Sequence, residues 1–127
     1  MFWIDQFSRK PVYEQIIEQT EKFILTGTLR PGDQMPSVRS LATTLSINPN
    51  TIQKAYNELD RKNIIQTVPG KGCFITESAH STLCDERKSH LQDFDLLINE
   101  LLLCGIQKEE LINHIESAYT KGGKSND

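Results

Sequence analysis

Long hydrophobic runs and paired cysteines are both missing from this 127-residue chain. No stretch approaches the ~20 apolar residues that a transmembrane helix requires. The three cysteines, Cys73, Cys84 and Cys104, are widely spaced and form no C-x-x-C pair, which disfavours a disulfide framework and a zinc finger. The chain is also too short for a TIM barrel, a two-domain dehydrogenase or a kinase. We therefore expect a soluble, cytoplasmic protein with reduced thiols.

Enzyme signatures are missing as well. The sequence contains neither a nucleophile accompanied by a base and an orienting acid nor a Gly-rich phosphate loop that opens a helix. Gly70-Lys71-Gly72 follows a predicted strand, but it leads into another strand and so does not match a Walker loop. The sequence predicts a protein that is not an enzyme and that uses no cofactor.

Charge is distributed unevenly along the chain, whose formal net charge is −3. Residues 1–76 carry nine Lys and Arg against seven Asp and Glu, a net charge of +2. Residues 77–127 carry five against ten, a net charge of −5. Because the acidic residues are concentrated in the tail, the overall charge says little about what the first part binds.

Three helices are predicted in the first half of the chain. The first covers residues 11–26, with a proline in its first turn and a glycine at its end. Ser37 is placed to cap a short second helix that ends near Ser46. Asn48 and Pro49 suit the cap and first position of a third helix, which begins almost at once. Two helices joined by so short a turn are typical of a helix-turn-helix.

A two-stranded hairpin is predicted after the third helix. Residues 64–68 have the β-branched content of a strand, residues 69–72 form a turn, and residues 73–76 form the returning strand. A helix-turn-helix followed by such a hairpin is a winged helix. We therefore expect an α+β, mostly helical fold, in which residues 1–77 form a winged helix-turn-helix DNA-binding domain.

Residues 78–127 are predicted to form a two-helix dimerisation region with a break at Gly105, fraying from Gly122 onward. Two amphipathic helices cannot close a core by themselves. The simplest way to bury their apolar stripe is against a second copy of the chain, as a homodimer. The apolar positions are Leu83, Leu91, Phe94, Leu97, Ile98, Leu101, Leu102, Leu111, Ile112, Ile115 and Tyr119.

The start of the third helix carries most of the candidate DNA contacts. In a helix-turn-helix, the N-terminal part of the second helix meets base edges in the major groove. Asn and Gln can pair bidentately with adenine, Thr offers a hydroxyl and a methyl group, and Lys can reach phosphate or guanine. The candidates on this helix are Asn48, Asn50, Thr51, Gln53 and Lys54.

Four further candidates lie outside this helix. Arg39, in the first turn of the second helix, can clamp a phosphate or reach a base. The Ser37 cap leaves amides of the same turn free to approach a phosphate oxygen. At the hairpin tip, Lys71 lies beside Gly72, where the absence of a side chain allows close approach to a sugar-phosphate edge.

Motifs spread over residues 8–76 resemble those of the GntR family of bacterial transcriptional regulators. They are Pro11-x-Tyr13-x-Gln15-Ile16, Gly27-x-Leu29-x-Pro31-Gly32-Asp33-x-Met35-Pro36-Ser37-x-Arg39-x-Leu41-Ala42, Asn50-Thr51-Ile52-x-x-Ala55-Tyr56-x-x-Leu59 and Gly70-x-Gly72-x-Phe74-Ile75. The resemblance implies contacts with operator DNA by Ser37, Arg39, Asn50, Thr51, Gln53, Lys71 and Gly72. Many members have arginine where this chain has Pro49, and often where it has Gln53, so guanine contacts are not carried over at those two positions.

The short tail resembles that of the YtrA subfamily, whose Asn-Pro-Asn-Thr helix start also matches residues 48–51. Larger members append effector-binding or aminotransferase-like domains, for which about fifty residues after Thr76 leave no room. The resemblance implies a tail used for dimerisation and a regulator, expected to be a repressor, that binds double-stranded DNA. Two-fold symmetry predicts an inverted-repeat operator.

Two alternatives stay open at this point: a tail that senses a metal or a small effector, and a winged helix that contacts only proteins. A tail that senses metal would use His80, Cys84, His90 or Cys104, with Asp85, Asp93 and Asp95 nearby, although the spacings match no compact site. A tail that binds a small effector would use Phe94, Tyr119 and the leucines. A winged helix that contacts only proteins is the other alternative, because a fold does not dictate its use.

Overall fold

The structure is a computed structural model that describes residues 1–125, mostly as helices with one hairpin. The helices are α1 (Val12–Leu25), α2 (Val38–Leu45), α3 (Pro49–Arg61), α4 (Ala79–Lys88), α5 (Leu91–Leu103) and α6 (Lys108–Ser125), and the strands are β1 (Ile65–Val68) and β2 (Gly72–Ile75). The expected class, a mostly helical winged helix, is confirmed. In this part of the chain no helix has both the length and the apolar character needed to cross a membrane.

The chain divides into two compact units, of which the first comprises residues 1–88. Its core is built where α1, α2 and α3 cross and where the hairpin closes against α3. Helical spacing brings Ile16 and Ile24 of α1 onto the same inner face as Ile52 and Leu59 of α3, and all four side chains are buried. This core holds α3 with its opposite, polar face toward solvent.

The hairpin pairs β1 with β2 in antiparallel register, with Ile65 opposite Ile75 and Val68 opposite Gly72. A third chain segment, residues 32–35, runs along the free edge of β2. The Gly32 amide donates to the Ile75 carbonyl at 2.8 Å, and the Met35 amide donates to the Cys73 carbonyl at 2.8 Å. Since a lone two-stranded hairpin is only marginally stable, this segment supports the wing and continues directly into α2.

Helix α4 departs from the sequence prediction, which placed a domain boundary after residue 77 and only two helices beyond it. Ala79 and Leu83 of α4 are fully buried in the core of the first unit. The compact first unit therefore extends to Lys88. The hydrophobic periodicity of these residues is too weak to predict a separate helix, because only Ala79 and Leu83 of α4 are buried in the core.

The second unit begins at Ser89 and contains α5 and α6. These two helices are separated by a break where Gly105 has φ +85°, at the glycine where the sequence predicts a break. None of the side chains of α5 is buried. Helix α6 ends at Ser125, and Asn126 and Asp127 lie outside the described residues, so the fraying from Gly122 stays a prediction.

Candidate nucleic-acid interface

The start of α3 is defined by its cap. The Asn48 side-chain oxygen accepts a hydrogen bond from the Asn50 amide at 2.8 Å, and Pro49 occupies the first helical position. Asn48 is exposed, but its oxygen is committed to the helix. Asn48, one of the predicted DNA contacts, thus has a structural role, because it sets where the helix begins.

The outer face of α3 carries the predicted readers. Asn50, Gln53 and Lys54 are exposed, and Thr51 is half-buried. The Gln53 side-chain amide donates to the Asn57 side-chain oxygen at 2.8 Å, one turn further along. A bidentate contact from Gln53 to adenine needs its side-chain oxygen and one amide proton, and this intrahelical bond uses one of the two amide protons.

Lys54 lies against α1, a contact that the sequence did not reveal. Its ammonium group lies 3.9 Å from the centroid of the Tyr13 ring. An exposed cation–π contact of this kind is worth about 0.5–1 kcal/mol. The negative charge of Glu14, together with desolvation, raises the pKa of Tyr13. No local sequence signal links Tyr13 to Lys54, because the two residues lie on different helices that only packing brings together.

Tyr13 and Lys54 also help to line a shallow surface depression at the start of α3. Asn50 and Thr51 line it from α3, and Val12 lines it from α1. The N-terminal ends of α1 and α3 therefore form one continuous surface. Three predicted readers, Asn50, Thr51 and Lys54, are brought together there.

The start of α2 is fixed by two contacts. The Ser37 hydroxyl accepts a hydrogen bond from the Ser40 amide at 3.0 Å, as the sequence predicts for a cap. The Tyr56 hydroxyl of α3 donates to the Pro36 carbonyl at 2.7 Å, immediately before that cap. Arg39 follows in the first turn, exposed, and makes no hydrogen bond or ion pair with any described residue. Its guanidinium is available for a ligand.

The wing presents Lys71 at its tip. The Lys71 amide donates to the Val68 carbonyl at 2.9 Å, and Gly70 and Gly72 adopt φ values of +76° and +116° that favour glycine. The Lys71 side chain is exposed, and within residues 1–125 its ammonium has no ion-pair partner. Arg39 and Lys71 thus offer two exposed and unpaired cations within the winged-helix unit.

No metal centre is formed by the histidines and cysteines of the described residues. His80 and Cys84 face each other on α4, with Nδ1 and Sγ 3.6 Å apart, and His90 Nδ1 lies 3.4 Å from an oxygen of Asp93. Within this part of the chain, no group of three or more His, Cys, Asp or Glu is placed to hold an ion. Cys104 is exposed and unpaired.

The second unit presents an apolar groove between α5 and α6. Its volume is about 330 Å³. Tyr119 is 81% exposed and takes no part in it, contrary to the notion of an effector pocket that includes this ring. The groove is lined by Phe94, Leu97, Ile98, Leu101, Leu111, His114 and Ile115.

Comparison with known proteins agrees with this geometry. The family described as bacterial regulatory proteins, gntR family, matches residues 12–75. The HTH-type transcriptional repressor YtrA of Bacillus subtilis (strain 168) is 44% identical over 130 residues, which cover 100% of this chain and 100% of that protein.

Two solved structures extend the comparison. A transcriptional regulator from Oenococcus oeni has a TM-score of 0.72 and 34% identity, covering 91% of this chain and 97% of its own. The DNA-binding domain of AraR, solved in complex with operator ORX1, has a TM-score of 0.53 and 25% identity, covering 59% of this chain and 93% of its own. The chain therefore belongs to the GntR family, and it is a DNA-binding regulator of transcription.

Proposed function

We propose that the protein is a homodimeric, cytoplasmic transcriptional repressor that binds an inverted-repeat operator. In this proposal α3 enters the major groove, and the wing reaches the neighbouring sugar-phosphate backbone. The observation that carries it is the capped start of α3, which exposes Asn50, Gln53 and Lys54, together with the exposed and unpaired cations of Arg39 and Lys71. Repression is proposed because YtrA, similar over its whole length, is named a repressor.

The nine predicted contact residues divide into base readers and backbone contacts. Asn50, Thr51 and Gln53 carry groups suited to base edges on the exposed part of α3. Lys54 is drawn toward α1 by the Tyr13 ring, away from the centre of α3, which favours a phosphate contact. Asn48 and Ser37 act through the caps that they form, Arg39 clamps a phosphate or a base, and Lys71 with Gly72 approaches the backbone.

The tail supports the dimer part of the proposal. An apolar groove left open to water is unfavourable, and several leucines of the second unit are more than half exposed, Leu96 at 62% and Leu103 at 88%. A second copy of the chain would cover such a surface by a two-fold contact. The groove volume also falls within the range of small-molecule sites, so an effector that binds there would compete with or complete the dimer.

Selection of bound fragments from random DNA tests this proposal. We expect enrichment of an inverted repeat whose half-sites are centred about one helical turn apart, ~34 Å. Affinity for the selected site should fall steeply with salt, since phosphate contacts release counterions. A library that shows no enrichment even at low ionic strength would instead support a winged helix that contacts only proteins.

A further inference from the structure

The side chain of Gln34 connects the segment before α2 to the tip of the wing. Gln34 lies opposite Phe74 of β2 in an isolated antiparallel bridge. From there its side-chain amide donates a hydrogen bond to the Lys71 carbonyl at 3.0 Å, across 37 residues of sequence. The acceptor is the backbone carbonyl of Lys71, the residue whose side chain is the cation at the wing tip.

Gly72 leaves the space that this bond requires. A Cβ atom at position 72 would lie 2.7 Å from the Gln34 amide nitrogen, closer than real contacts allow. Gly72 also has φ +116°, which L residues rarely adopt. Gly72 therefore has two roles: it adopts the backbone conformation of the turn, and it leaves room for the Gln34 side chain.

We propose that Gln34 is a positioning residue that sets the wing tip so that Lys71 faces the DNA backbone. This inference rests on the proposed function, in which Lys71 contacts a phosphate. The hairpin turn has few contacts of its own, and without Gln34 the Lys71 backbone must be ordered when DNA binds, which weakens binding. Gln34 need not touch the DNA to have this effect.

A double-mutant cycle on the selected operator tests the inference. Gln34→Met keeps the length of the side chain, introduces no charge and removes the hydrogen bond. We expect it to weaken binding about two- to ten-fold, the equivalent of one hydrogen bond, and to flatten the salt dependence toward that of Lys71→Ala. In the Lys71→Ala background, Gln34→Met should have little further effect, because both changes act through the same contact.

Two controls separate positioning from a general loss of structure. Gln66→Met replaces another exposed glutamine of the same sheet, whose side chain makes no hydrogen bond with a described residue, and should leave affinity unchanged. Gln34→Met combined with Arg39→Ala should be additive, since Arg39 lies on α2 and shares no contact with Gln34.

The outcomes are distinguishable. If Lys71→Ala leaves both affinity and salt slope unchanged, the wing contact of the proposed function is wrong, and this inference is overturned with it. If Lys71→Ala weakens binding but Gln34→Met does not, or if the two effects add fully, the proposed function stands and the positioning role is wrong. Non-additivity with Lys71 alone supports the inference.

Discussion

Tyr56 shows how one residue joins the core to the proposed DNA-binding surface. Its ring is buried among apolar side chains, while its hydroxyl donates to the Pro36 carbonyl just before the Ser37 cap. The orientation of α2, and with it Arg39, is thereby tied to α3. Burial raises the pKa of Tyr56, because an ionised phenol would lose its hydration there.

Replacing Tyr56 by Phe keeps the ring and removes the hydroxyl. We expect the free energy of unfolding to fall by about 1–2 kcal/mol at pH 7, since a partly buried carbonyl loses its donor. Chemical denaturation monitored by circular dichroism measures this change. An unchanged stability would show that the hydroxyl bond contributes nothing.

The same variant carries a pH prediction. The folded pKa of Tyr56 lies above its unfolded value of ~10, so its contribution is fully present below about pH 10 and is lost as the pH rises further. The stability of the wild type should therefore fall more steeply above pH 10 than that of Tyr56→Phe. Parallel curves for the two proteins would contradict the assignment.

Arg39 is the residue that tests base reading against backbone contact. Arg39→Ala should weaken operator binding by about 1–3 kcal/mol and relax specificity at one position if the guanidinium pairs with a base. Arg39→Lys keeps the charge but not the planar fork, so it should rescue a phosphate contact much better than a base contact. Mobility-shift titrations on matched and single-mismatch operators measure both effects. Unchanged affinity in Arg39→Ala would remove Arg39 from the interface.

At the scale of elements, α4 belongs to the winged-helix unit through packing and charge. Leu83 is fully buried against the core. The buried Glu21 carboxylate of α1 accepts from the Lys62 ammonium at 3.0 Å, and an Arg87 nitrogen of α4 lies 3.6 Å from it. Burial alone lowers the pKa of Lys62, but the hydrogen bond and charge of Glu21, with the charge of Glu86, outweigh it and leave that pKa raised. One buried carboxylate therefore joins α1, the end of α3 and α4.

Leu83→Ala tests whether α4 is part of this unit. We expect a loss of about 2–5 kcal/mol in the free energy of unfolding, because the change leaves a cavity in the shared core. Asp85→Ala, at an exposed position of the same helix, should change stability by less than about 0.5 kcal/mol. Equal, small effects in both variants would mean that α4 contributes nothing to the core.

At the scale of the whole molecule, the second unit exposes many apolar side chains and buries few. Its helix α5 buries no side chain completely, while Leu97 is 51% and Phe94 is 44% exposed at the groove. This is the pattern of a surface that needs a partner.

Leu97→Asp places a charge in that groove and should convert the proposed dimer into a monomer, because an unpaired carboxylate is costly to bury. Operator affinity should then fall about ten-fold or more, since the two half-sites are no longer bound jointly. Asn99→Asp introduces the same charge at an exposed polar position of α5 and should remain dimeric. Sedimentation equilibrium measures the mass of each variant. A wild type that is monomeric, or a Leu97→Asp protein that is dimeric, would contradict the proposed interface.

Local signals were strong enough to predict the DNA-binding frame. Helix caps, a proline at a first helical position and glycines at positive φ act within a few residues, so the starts of α2 and α3 and the hairpin turn were placed correctly from Ser37, Asn48 and Gly70. The candidate contacts could be named for the same reason, because they sit at defined positions of those elements. Their roles toward DNA remain predictions.

Contacts between segments that are far apart in the sequence leave no such local signal. The position of Lys54 over Tyr13, the bond from Gln34 to Lys71 and the burial of Leu83 each depend on segments that only packing brings together. Hydrophobic periodicity reports how one element divides its faces and carries no information about which element will cover them. Amino-acid order thus specified helices α1, α2 and α3, the hairpin turn and the polar face of α3, whereas tertiary packing decided how the wing is supported and to which unit α4 belongs.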